Sequence, residues 1–195
     1  MASAADRVRR VAAAAAWITW LALAPAGCAS MQVSSYGVGD LDLRSYRTYR
    51  WGPPEERPTG DPRLDGNPFF DARVRLQVEE GLAALGFVKA SAGSPDLLVH
   101  YHASVTQEID VRDFDRAAGY CEGADCRPFV YEAGTLFVDL MDARTGKLLW
   151  RGWAESSIDG VIDDQELMEA RIDAAVAQIL ERLPHGRSGR VPASP

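Results

Sequence analysis

The stretch GTLFVDLMDARTGKLLWRGWAESS, residues 134–157, constrains the fold more than any other part of the chain. Leu136, Val138 and Leu140 alternate with Phe137, Asp139 and Met141, so a strand here has one apolar face and one mixed face. DARTGK then supplies a turn. The Asp142 carboxylate can accept backbone N–H groups, and Gly146 can take a left-handed backbone conformation. The returning segment puts Leu148, Trp150 and Ala154 on one face, with Leu149 and Trp153 on the other. The pattern predicts a β-hairpin.

Residues Leu97 to Asp110 carry a second clean alternation. Leu97, Val99, Tyr101, Ala103, Val105 and Ile109 fall on one side; His100, His102, Ser104, Thr106 and Glu108 fall on the other. One buried and one wet face imply an antiparallel sheet covered on a single side. Shorter strands are expected at Val33–Tyr36, at Tyr46–Trp51, where aromatics and Thr48 alternate with arginines, and from Phe87–Val88. Residues 52–67 hold four prolines and read as a loop. Asn67 and Pro68 announce a helix, with Phe70, Val74, Val78, Leu82 and Leu85 at helical spacing and Gly86 at its end. Arg73, Arg75, Gln77, Glu79 and Glu80 take its other faces. Asp163 or Asp164 caps a last helix whose apolar face is Met168, Ile172, Ala175, Val176, Ile179 and Leu183, with Pro184 ending it. The fold expected is α+β: a mainly antiparallel sheet with two amphipathic helices packed on one face.

The N-terminus carries an address. Arg7, Arg9 and Arg10 precede an apolar stretch, followed by Ala26, Gly27 and Cys28. A positive start, an apolar middle and small residues at a cut form a bacterial export signal. Cleavage before Cys28 would expose a lipid-bearing thiol, although Pro25 stands where a lipobox usually has leucine or a similar residue. Cleavage at Ala24-Pro25-Ala26 would instead release a soluble periplasmic protein. An uncleaved anchor is disfavoured, because Val11–Ala24 is shorter than the roughly 20 residues a span needs. Ala29, rather than aspartate, after the cysteine fits outer-membrane sorting. The expected organisation is a signal peptide over 1–27, a lipidated tether and first strand over 28–40, one α+β domain over 41–184, and a disordered tail over 185–195.

Removing the signal, with its three Arg and one Asp, takes the net charge from −7 to −9. An acidic chain without clustered Lys/Arg disfavours nucleic acid and anionic lipid as charge-driven partners. The two remaining cysteines, Cys121 and Cys126, lie in a Gly- and Asp-containing loop, where a disulfide is expected in an oxidising compartment. A metal half-site there lacks further ligands.

The segments YRTYRW, PDLLVHYH at 95–102, GTLFVDLMDARTGKLLWRG at 134–152 and the closing helix together resemble the bacterial lipoprotein family of domain of unknown function 4136. The resemblance covers about residues 30–185 and implies an envelope lipoprotein with one α+β domain. It brings no reaction, no cofactor and no catalytic residues.

Several constellations invite chemistry. His100 and His102 share a strand face and are weak metal candidates, lacking an evident third ligand. They would serve the alternative of a periplasmic metal-binding protein or small metal-assisted hydrolase. Asp139 and Asp142, with Glu132, suggest an acid–base pair, but Asp142 more simply starts the turn. Asp159, Asp163, Asp164, Glu166 and Glu169 do not have calcium-loop spacing and suit a helix N-terminus. Trp150 and Trp153 are both expected to be packed by the domain. An exposed Trp153 beside Arg151, with Tyr131, would instead offer a contact for a protein or glycan partner. The chain reads as a non-enzymatic envelope lipoprotein facing the periplasm.

Overall fold

A computed structural model describes residues 31–39, 41–54, 58–110 and 129–184. The strands are β1 (Gln32–Gly37), β2 (Thr48–Trp51), β3 (Val88–Lys89), β4 (Leu97–Asp110), β5 (Phe129–Asp142) and β6 (Leu148–Ser157). The helices are α1 (Pro68–Ala84) and α2 (Gln165–Glu181), and a short 3-10 turn spans Leu43–Ser45. Cys28, Cys121, Cys126 and the 185–195 tail lie outside the described residues.

Local chemistry sets the ends of these elements. The Asn67 side chain accepts from the N–H groups of Phe69 and Phe70, and Pro68 occupies the first turn, where no intrahelical N–H bond is needed. Gly86, at φ +90°, turns the chain out of α1. Asp164, rather than Asp163, caps α2 by accepting from Leu167 N at 3.0 Å. In the β5–β6 turn Asp142 Oδ1 accepts from Arg144 N and Thr145 N, and Gly146 sits at φ +67°.

All six strands form one sheet in the order β1-β6-β5-β4-β2-β3. It is mixed, where a mainly antiparallel sheet was expected. The β1–β6, β6–β5 and β5–β4 pairings are antiparallel, but β2 runs parallel to both β3 and β4. The cause is α1, which carries the chain away from β2 and brings it back in the same direction. Asp96 fixes this parallel junction. Its Oδ2 accepts from Arg47 N, Thr48 N and Thr48 Oγ1, while its own N–H donates to Thr48. These backbone donors hold the Asp96 carboxyl below its ordinary value.

Both helices lie on one face. Tyr49, Leu97, Val99, Leu136, Val138, Leu140, Trp150 and Ala154 form the sheet side of the core. Phe70, Val74, Val78 and Leu82 of α1, with Met168, Ile172, Val176 and Ile179 of α2, form the helix side. Each Val, Leu, Ile, Phe or Met among them contributes on the order of 1.5–3 kcal/mol when fully buried. Trp150 is 1% exposed, and its ring lies across Gly152 beneath Ile179. A Cβ at 152 would stand 2.4 Å from Trp150 Cη2 and 2.7 Å from Ile179 Cγ2. The Trp150 indole N–H finds no acceptor among the described residues, so shape rather than hydrogen bonding holds the ring.

Two outcomes test this account. Gly152→Ala should destabilise the domain by about 1–3 kcal/mol in urea denaturation, since a packed core cannot yield that space without shifting the indole. Because the folded Asp96 value lies below the ordinary 3.8, its contribution is complete above that pH and disappears as pH falls through the folded value. Asp96→Asn should therefore lower the melting temperature at neutral pH and flatten its acid limb. An unchanged acid limb would remove Asp96 from the junction.

Candidate functional site

Among the described residues no helix lies over the opposite sheet face, and the strand register arranges its side chains in rows. His102 on β4, Phe137 on β5 and Trp153 on β6 are cross-strand neighbours, and the row continues to Ser34 on β1. The His102 and Phe137 rings stack with centroids 6.1 Å apart, and Phe137 and Trp153 follow at 6.4 Å. All three side chains are half-buried. The next row is His100, Asp139, Arg151 and Tyr36. Arg151 grips Asp139 with two bonds, Nε to Oδ1 at 2.7 Å and Nη2 to Oδ2 at 2.5 Å, and its guanidinium lies over Phe137 at 5.6 Å. Asp139 is 7% exposed. Rings and ion pair therefore form one continuous patch.

The structure sorts the candidates from the sequence. His100 and His102 do share a face, but each is engaged separately. His100 is pressed on the backbone at Gly52, where a Cβ would come within 2.1 Å of its Nε2; His102 stacks on Phe137. The carboxylate opposite His100 is Asp139, already committed to Arg151. Among the described residues no three His, Cys, Asp or Glu side chains are grouped to hold a metal ion.

Asp139, Asp142 and Glu132 serve three separate local roles: partner of Arg151, turn, and a 3.4 Å contact to Arg63. The acidic residues near α2 are likewise dispersed. Asp159 accepts from Glu132 N, Asp163 pairs with Arg63, Asp164 caps the helix and Glu169 approaches Arg73.

Trp153 departs from the expectation that both tryptophans would be packed by the domain core, since it lies on the face without helices. Arg151 joins it there. Tyr131 does not: it pairs with Glu108, six residues along β5 from Phe137, about 20 Å at strand rise. Sequence reading passed over Phe137 and the Asp139–Arg151 bond. The register that joins them depends on an irregularity between Leu140 and Met141, which also places Leu149, not Leu148, against the core.

A concavity of about 410 Å³ opens where β2 leaves β4. Trp51, Phe70 and Tyr101 meet edge to face in its wall, and the Arg75 guanidinium lies 4.6 Å above the Trp51 ring. Tyr101 donates to Asp71 at 2.7 Å, and Asp71 also accepts from Arg75 Nε. Burial first, and then this bond to a carboxylate, push the Tyr101 phenol upward. These polar groups satisfy one another and brace α1 against the sheet.

The family model for a domain of unknown function, DUF4136, matches residues 33–185, from the second residue of β1 to just past α2. The chain belongs to the DUF4136 family. A PDZ domain protein from Parabacteroides distasonis ATCC 8503 superposes with a TM-score of 0.52 at 13% identity, over 83% of this chain and 38% of that one. The chain thus spans well under half the length of that protein. A DUF4136 family protein from Bacteroides thetaiotaomicron VPI-5482 gives 0.46 at 13% identity, over 80% of this chain and 96% of that one. The PelC dodecamer from Paraburkholderia phytofirmans gives 0.42 at 12% identity, over 77% and 95%. The likeness to the PDZ domain protein, at 13% identity, is one of fold alone. Among curated proteins none matches the chain.

Arg151→Ala should cost about 1–2 kcal/mol, because it leaves the nearly buried Asp139 carboxylate unpaired. Asp139→Asn in the same chain should recover most of that loss in urea denaturation. A double variant no more stable than Arg151→Ala would show that the pair does not set the cost.

Proposed function

We propose that the protein is a non-enzymatic cell-envelope lipoprotein, anchored by lipid on Cys28 to the outer membrane and facing the periplasm, whose uncovered sheet face binds another envelope component. One observation carries the binding half: the Phe137–Trp153 row, with Arg151 beside it, lies on the side of the sheet that neither helix covers. Aromatic and arginine side chains on an accessible face are the residue types that dominate binding energy at interfaces. Support for the anchor comes from the Arg7–Cys28 segment and from Ala29 after the cysteine. Only four residue steps separate Cys28 from Gln32, where β1 begins, so they reach at most about 14 Å. The anchored domain would work at the membrane surface.

Two measurements in intact cells test the reading. Palmitate labelling should mark the wild type and vanish in Cys28→Ala, which should move to the soluble periplasmic fraction. Unlabelled, soluble wild type would overturn the anchor. A photo-crosslinking p-benzoylphenylalanine in place of Trp153 should capture an envelope component, whereas the same group in place of Leu167, 53% exposed on α2, should not. Adducts from position 153 no stronger than those from position 167 would remove the binding face.

A further inference from the structure

We propose that the component bound on this face is an uncharged polysaccharide, lying across β4, β5 and β6 on the His102–Phe137–Trp153 row. The proposal rests on the reading of this face as a binding face and names the chemistry of its occupant. Charge is the first argument. The chain as a whole carries −7, yet the two central rows hold one carboxylate and one guanidinium, which neutralise each other in a two-bond pair. A polyanion would have to approach an acidic protein, and a polycation would meet the Arg151 guanidinium in the middle of the face, with Glu155 in the row alongside as its counter-charge. A neutral chain faces neither cost.

Shape and hydrogen bonding are the second argument. Each of the three strands contributes one ring to the row, at successive spacings of 6.1 and 6.4 Å, so apolar contact is offered in a line rather than in a pocket. Sugar rings have an apolar C–H side that packs on aromatic rings and a rim of hydroxyls that needs hydrogen-bond partners. Ser34 ends the aromatic row, and Thr135, Glu155 and Gln32 form the row alongside it. The Asp139–Arg151 pair flanks the other side, giving fixed acceptors and donors at the edge of the rings. A linear glycan uses both features at once. A folded protein partner would gain less from rings that are already half-buried.

The test uses the full-length lipoprotein in detergent micelles. Hexamers of β-1,4-linked N-acetylglucosamine and of β-1,4-linked glucose serve as neutral probes, and hexagalacturonate as the charged one, with binding followed by titration calorimetry. A neutral hexamer should bind saturably. Trp153→Ala and Phe137→Ala should each weaken it about tenfold, and Trp153→Phe should stay within about threefold. Tyr36→Ala, at the exposed end of the neighbouring row, should weaken it about threefold without changing the melting temperature.

The inference is overturned if neither neutral hexamer saturates, if Trp153→Ala binds like wild type, or if hexagalacturonate binds as tightly. A protein adduct from position 153 in cells, with no glycan binding in vitro, would remove the polysaccharide and leave the binding face standing. Absence of both would remove the two together.

Discussion

Among the described residues both helices pack on one side of a six-stranded sheet and none on the other, and that asymmetry governs the rest of the molecule. The central strands must present an apolar set to the helices and a second set that tolerates water. β5 shows the division within one strand: Leu136, Val138 and Leu140 are buried, while Phe137 and Asp139 alternate with them on the far side. The covered face is specified by volume. Trp150 fits because Gly152 has no side chain, and Ile179 closes over both. The bare face is specified by pairing, since a carboxylate as enclosed as Asp139 persists there only with Arg151 bonded to both its oxygens.

The candidate site is a product of register. Asp139 and Arg151 are twelve residues apart, and Phe137 and Trp153 sixteen, so neither pair is a local contact. Both meet because the β5–β6 hairpin closes on Asp142 and then absorbs one extra residue at Leu149. Without that residue, Asp139 would lie opposite Trp150, and the helix-facing and open sets would no longer match across the hairpin. Stability and site therefore share one determinant: the register that buries Trp150 also assembles the aromatic row.

Much of the fold is readable from periodicity and caps. The alternations at 97–110 and 134–157, the Asn67 cap and the Asp142 turn are local patterns with local causes, and each appears where its chemistry predicts. The parallel placement of β2 is different. Four residues, TYRW, carry no sign of strand direction, which is set by the distant bond set of Asp96 and the path of α1. The bulge at Leu149 was equally hidden, because Leu148 and Leu149 are chemically identical and only the packing chooses between them. His100 and His102 were visible as a pair by spacing. Their separate engagements, by the Gly52 backbone and by the Phe137 ring, come from neighbouring strands that the pair itself does not encode.

The positions of β1 and of the aromatic row bear on each other. β1 is the edge strand on the β6 side of the sheet, and through β6 it stands beside the row, with Ser34 directly opposite Trp153. A lipid on Cys28 would hold the Gln32 end of this edge within about 14 Å of the bilayer, since four residue steps extend no further. A ligand following the ring row would run across the strands, with one end toward the β1 edge, where a Cys28 anchor would enter. Such a polymer would have to lie in the layer next to the membrane to meet the row, whereas a domain on a long flexible tether could search the full depth of the compartment. With Cys28 lipidated, the brevity of the connection would narrow the available partners as much as the chemistry of the face.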